Sequence, residues 1–241
     1  MSKNKYYYSG VSLYRLAVFL LLLLVLFVAA ALKPLPTSAA SNSTFNQSIN
    51  AGSLATDIRD ASRVAVASPS VAMSAVTFPF ACLTGGAAPT GSFGSNTERI
   101  YVDNPGAANN GWTLTLAATG GATVLWQNTG STQNYDYNDP TTGGCTDSAD
   151  ADTKAGQLTV NPSVSTLTTD CASCVTTNIT KGSSTAYEQG VTNSVTLLNA
   201  ALASDDIGRW YLTGVSMSQT IPAEQPADSY SLSLTLTTTA L

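Results

Sequence analysis

The stretch SYSLSLTLT, Ser229 to Thr237, alternates a small polar residue with a larger apolar one at every step. In an extended chain Tyr230, Leu232, Leu234 and Leu236 share one face, and Ser229, Ser231, Ser233 and Thr235 share the other. A helix would scatter those four apolar side chains around its axis, so the spacing predicts a strand with one buried face. The same period of two recurs upstream. GWTLTL (111–116) turns Trp112, Leu114 and Leu116 inward, and ERIYV (98–102) turns Ile100 and Val102 inward. ATVLW offers Val124 and Trp126, QLTV offers Leu158 and Val160, and SVTLL offers Val195 and Leu197. VTFPFAC (76–82) alternates Val76, Phe78, Phe80 and Cys82, with Pro79 on the other face, which predicts an edge strand.

Turn chemistry separates these runs: NPGAANNG (104–111), TGG (119–121), NDPTTGG (138–144) and NPS (161–163). Near Thr213-Gly214 the inward parity changes from Trp210 and Leu212 to Val215, Met217 and Ile221. One extra residue, with Gly214 as the conformationally free one, accounts for that shift as a β-bulge. Beyond residue 40 only ATDIRDASRVAVA (55–67) reads as a helix candidate, and its Val-rich end suits a strand equally well. The expectation is therefore an all-β fold, a β-sandwich of about ten strands, jelly-roll or Ig-like, preceded by an N-terminal signal helix.

Residues 1–40 read as a signal peptide or membrane anchor. Lys3, Lys5 and Arg15 precede an unbroken apolar run from Leu16 to Leu32, and Pro34, Pro36 and small residues follow it. The run has 17 residues, fewer than the roughly 20 of a bilayer span. Residues 41–241 then form a single secreted β-sandwich domain. That part holds six basic residues (Arg59, Arg63, Arg99, Lys154, Lys181 and Arg209) against fifteen acidic ones, a balance of −9. Nucleic acid and anionic lipid need clustered cations, so both are excluded as partners, and contact with a membrane is left to the N-terminal segment.

Cys82, Cys145, Cys171 and Cys174 suit an oxidising compartment and allow three pairings into two disulfides. Cys171-Ala-Ser-Cys174 has the spacing of redox and zinc motifs. The redox motif wants a βαβ setting that this sequence lacks, and zinc would have to draw on Cys82 and Cys145, because the chain has no histidine.

VDNPGAANNGWTLTL (102–116) resembles the bacterial cell-surface domains named WxL, in which an Asp-containing turn leads into a Gly-Trp-Thr-Leu-Thr strand. IPAEQPADSYSLSLTLT (221–237) resembles the closing strand of WxL-like and pilus-type β-sandwiches. The likeness spans about 40 residues and implies a secreted protein at the cell surface, attached to a cell-wall or surface polymer. A full WxL pattern has a second Trp-x-Leu near its C-terminus, and here the nearest match, Trp210-Tyr-Leu212, precedes a different closing strand.

YDYNDPTTGGCTDSADADTKAG (135–156) gathers Asp136, Asn138, Asp139, Asp147, Asp150 and Asp152 around Cys145. Calcium takes six to eight oxygen ligands, and closely spaced carboxylates repel without a counter-ion, so these six are the candidate metal ligands. Catalysis is not expected. Without histidine neither Ser-His-Asp nor Cys-His chemistry is available, and no two glutamates among Glu98, Glu188 and Glu224 are paired by the pattern. The expected function is a non-enzymatic, structural or adhesive cell-surface protein. The alternatives are a filament subunit joined to its own copies by β-strand addition, and a carbohydrate-binding module using Trp126, Tyr135 and Tyr137. Phe45-Asn-Gln-Ser-Ile49-Asn-Ala51 echoes Met217-Ser-Gln-Thr-Ile221-Pro-Ala223. In the filament reading the first copy would leave its own fold.

Overall fold

The computed structural model describes residues 11–31, 46–106, 110–147, 152–202 and 207–241. Contacts divide the chain into Met1–Ser48 and Ile49–Leu241. In the first unit the apolar run, free of Gly and Pro, forms helix α1 (Val11–Ala31). Among the described residues no helix is long and apolar enough to cross a membrane. Phe45, the first residue of the echo, lies outside the described residues.

The second unit is built from four antiparallel sheets. The first has the order β1 (Ala55–Arg59), β3 (Arg99–Asn104), β12 (Gly208–Thr213), β8 (Thr166–Thr169). The second runs β10 (Thr185–Ala186), β7 (Gln157–Asn161), β13 (Val215–Thr220), β2 (Thr90–Phe93). The third runs β15 (Leu234–Ala240), β4 (Trp112–Ala118), β11 (Ser194–Ala200), β9 (Ile179–Lys181), and the small fourth joins β14 (Tyr230–Ser231), β5 (Trp126–Asn128) and β6 (Asn134–Tyr135). Fifteen strands among the described residues exceed the ten expected, because three of them are two-residue pairings too short to show a period.

The inward sets assemble one core. Ile100 and Val102 of β3, Trp112, Leu114 and Leu116 of β4, Leu158 and Val160 of β7, and Trp210 and Leu212 of β12 are buried together. Trp112 and Trp210 meet there with ring centroids 5.7 Å apart. Each buried Leu or Val stabilises the fold by about 1.5–3 kcal/mol relative to exposure. The parity change occurs where expected. Gly214 has φ of 75°, the left-handed region, and its N–H donates to the Gly94 carbonyl at 2.8 Å. It works as a corner rather than as a bulge inside one ladder, since β12 belongs to the first sheet and β13 to the second.

Three expectations need correction. The 55–67 segment is not a helix: it holds β1, a turn closed by Asp60 Oδ1 accepting the Ser62 and Val64 N–H groups, and one bridge from Arg59 to Ala65. VTFPFAC is not a strand. Its alternation is sound, but no neighbouring strand takes up its ladder. Phe80 is 86% exposed, Phe78 packs edge-on against it at 5.0 Å, and the Pro79 carbonyl accepts from Glu224 N–H. Finally, SYSLSLTLT keeps its alternation but breaks at Leu232-Ser233, where the chain leaves β5 for β4. Its apolar face is half-buried, because β15 forms the edge of its sheet.

Candidate functional site

The acidic loop is drawn into the fold. Asp136, Asn138 and Asp139 are buried at 1%, 0% and 1% exposure, so they are not a solvated rim. Asp136 Oδ1 accepts the Tyr137 and Asn138 N–H groups at 2.6 and 3.2 Å. Asp139 Oδ1 accepts Thr141 N–H at 2.8 Å, Asn138 Nδ2 donates to the Ala122 carbonyl, and Asp152 Oδ1 accepts Lys154 N–H. The bonds from Asn138, Thr141 and Lys154 N–H are Asx-type turns, in which a short side chain accepts from the backbone two residues on. Asp147 lies partly buried beyond the Cys145 bridge, and Asp150 lies outside the described residues. Among the described residues no three His, Cys, Asp or Glu side chains converge as a metal ligand set.

The four cysteines pair as Cys82–Cys145 and Cys171–Cys174. The first bridge ties the arm before Leu83 to the acidic loop, and Leu83 exchanges both backbone hydrogen bonds with Ile221 beyond the end of β13. The aromatics of the same region are also inside. Tyr137 packs edge-on against Tyr187, and both are fully buried. Trp126 stacks on Tyr135 at 5.8 Å and donates through Nε1 to Gln219 Oε1 at 2.8 Å. Tyr135 is 5% exposed, so neither tyrosine turns a ring face to solvent. Burial pushes the Tyr137 hydroxyl up to about 12 and raises those of Tyr135 and Tyr187 as well.

A polar group that the sequence reading left unremarked lies on the outward face of the first sheet. Four of the six basic residues beyond position 40 gather there: Arg59, Arg63, Arg99 and Arg209. Asp103 accepts from Arg59 Nη1 at 2.7 Å and from Arg209 Nε at 2.5 Å. Arg63 holds Asp170 through two bonds of 2.7 and 2.9 Å, which keeps the Asp170 carboxyl below the usual carboxylate range. Arg59 lies over the Tyr101 ring and Arg99 over the Tyr211 ring, 5.3 and 4.5 Å from the centroids, and the two rings are 5.4 Å apart. Tyr101 is fully buried although it points away from the core. Charges largely paired with one another above a sealed tyrosine make a lid. A signal was present in the sequence: TDIR, ERIYVD and GRWY place Arg, Asp or Tyr at every second position, opposite the apolar set.

One concave apolar feature stands apart from this lid. A groove of about 380 Å³ runs between β1, the edge strand β15 and the irregular segment 69–73. Ile58, Val71, Phe93, Met217, Leu234 and Leu236 line it, and no charged side chain does. No family model matches the sequence, and neither a curated protein nor a solved structure gives a significant match.

Proposed function

We propose that the chain is an exported, non-enzymatic structural protein of the cell surface, a β-sandwich that joins its own copies into an extracellular filament by β-strand addition. The observation that carries this reading is the first echo. Residues 46–54 belong to no strand, and Ile49 is 92% exposed, ahead of a domain whose other strands are paired. A strand-competent segment with an uncovered aliphatic side chain gains free energy by joining a sheet, and here that sheet would be another subunit's. The basic-then-apolar N-terminus, the two disulfides and the low charge support export into an oxidising compartment. Protein recovered from the envelope should give concentration-dependent ladders on a gel and fibres by electron microscopy. A monomer at every concentration would sink the filament reading.

A second reading, a monomeric WxL-like domain bound to a cell-wall polymer, draws support from the meeting of Trp112 and Trp210 in the core. Co-sedimentation of monomer with purified cell walls would favour it. Calcium at Asp136, Asn138, Asp139, Asp147, Asp150 and Asp152 belongs to either reading, supported by the close spacing of the carboxylates along the sequence and by the Cys82–Cys145 bridge that holds their loop. An unchanged melting temperature at millimolar calcium would remove the ion from both.

A further inference from the structure

Ile49–Ala51, the part of the echo inside the second unit, and the apolar groove lie toward opposite ends of β1. Gly52 N–H donates to the Pro105 carbonyl at 3.1 Å, and Ala55 pairs with Asp103, so the chain enters at the end where β3 finishes. The groove lies at the other end, where Ile58 pairs with Ile100 and Leu234 with Ala118. Ile49–Ala51 therefore precede β1 at the end away from Ile58, the β1 residue that lines the groove.

We infer that this groove is the acceptor site for the segment Asn46–Ala51 of a second copy of the chain; the inference rests on the filament reading and gives it an address. Two features of the groove match that occupant. The segment carries no charge, and neither does the lining. Among the described residues β15 pairs only with β4, so the edge strand that lines the groove has a side open to an added strand. A donor at one end and an acceptor at the other make a heterologous contact, which propagates head to tail and does not close on itself as a two-fold dimer would.

Three variants of the full chain test the address. Ile49→Asp removes the donor at an exposed residue. Val71→Trp fills the groove from its irregular wall, and Ser231→Trp, also at an exposed position, fills it from the opposite wall. Ile49→Asp and Ser231→Trp, at exposed positions, should keep the parent melting temperature, and all three should raise the concentration needed for ladders at least tenfold. Mixed, Ile49→Asp and Val71→Trp proteins should form a heterodimer that stops there, because one donor and one acceptor remain. A labelled peptide of residues 44–54 should bind the parent and the Ile49→Asp protein, and should lose binding to Val71→Trp and Ser231→Trp. Ladders that persist in both groove variants would overturn this site while leaving the filament reading intact. A monomeric parent that still binds the peptide in a groove-dependent way would overturn the filament and keep the site. A folded parent that neither assembles nor binds the peptide would end both.

Discussion

Two segments of this chain share the pattern apolar-x-Gln-Ser/Thr-Ile-x-Ala and meet opposite fates. In the copy that ends β13, Met217, Gln219 and Ile221 are 4%, 1% and 8% exposed. Gln219 satisfies three groups there: its Nε2 donates to the Asp136 and Thr220 carbonyls, and its Oε1 accepts from Trp126. In the other copy Ile49 is 92% exposed, and the Gln47 amide reaches only the neighbouring Ser48 carbonyl. The residues are nearly the same, so the difference lies in their neighbours. β13 has β7 on one side and β2 on the other, whereas residues 46–51 have neither. Strand propensity expresses fitness for a pleated, half-buried surface, and it becomes stability only when a sheet supplies that surface.

The comparison can be broken most strongly at the disulfide that steadies the buried copy. Cys82→Ser with Cys145→Ser opens a link of sequence separation 63 and should cost about 4 kcal/mol by loop-closure entropy, read from urea unfolding. Opening Cys171–Cys174, separation 3, should cost about 2 kcal/mol by the same argument. A loss near zero for the long link would mean that the Leu83–Ile221 pairing holds the arm unaided.

The glutamines make the most direct comparison. Gln219→Ala should cost about 3 kcal/mol, since it removes the bonds that the buried Gln219 amide makes with Trp126 Nε1–H and the Asp136 carbonyl, while Gln47→Ala should stay within about 0.5 kcal/mol. Equal effects would refute the assignment of one copy as buried and the other as free.

Alkali should loosen the surroundings of the buried copy next. The folded state holds the Tyr137 proton up to about 12, above its ordinary value of 10, and Tyr135 and Tyr187 are raised too. Between those values the native state binds more protons than the unfolded one. The contribution is therefore whole below pH 10 and is lost as pH rises toward 12. Thermal midpoints measured across pH 9–12 should fall, and Tyr137→Phe should flatten the fall; a flat profile in the parent would contradict the burial.

Acid should give the smallest effect, on the outer lid. Asp170 is held low by its hydrogen bonds from Arg63, so its contribution is present above its unfolded value and disappears as pH falls through the lowered one. The pair sits at the surface and is screened, so Asp170→Asn should remove only a slight acid limb from the melting profile. A large loss at neutral pH would instead make the lid a main support of the first sheet.

Much of the fold was legible because alternation is a local property. Ile100, Val102, Trp112, Leu114, Leu116, Leu158 and Val160 are buried as their spacing predicts, and Gly214 marks the change of parity. VTFPFAC misled for the same reason: its spacing fits a strand, but Pro79 and the exposed Phe80 lie on an arm without a ladder. Less of the candidate site could be read. The acidic loop stands out as a cluster of carboxylates, yet Asp136 and Asp139 each turn one oxygen to backbone N–H groups, which depends on how the loop folds. The arginine lid escaped because its residues are spread over Arg59, Arg99 and Arg209 and converge only when three strands lie side by side.

The sequence by itself determined which side chains share a strand face, where the chain turns, and that four cysteines are available to pair. Those follow from backbone geometry over a few residues. Tertiary structure alone decided the orders β1-β3-β12-β8 and β15-β4-β11-β9, the pairing of Cys82 with Cys145, and which copy of the echo is buried. Each is a competition between distant segments for the same neighbours. The outcome depends on loop-closure entropy and on the apolar area buried across the whole domain, which no short window of residues contains.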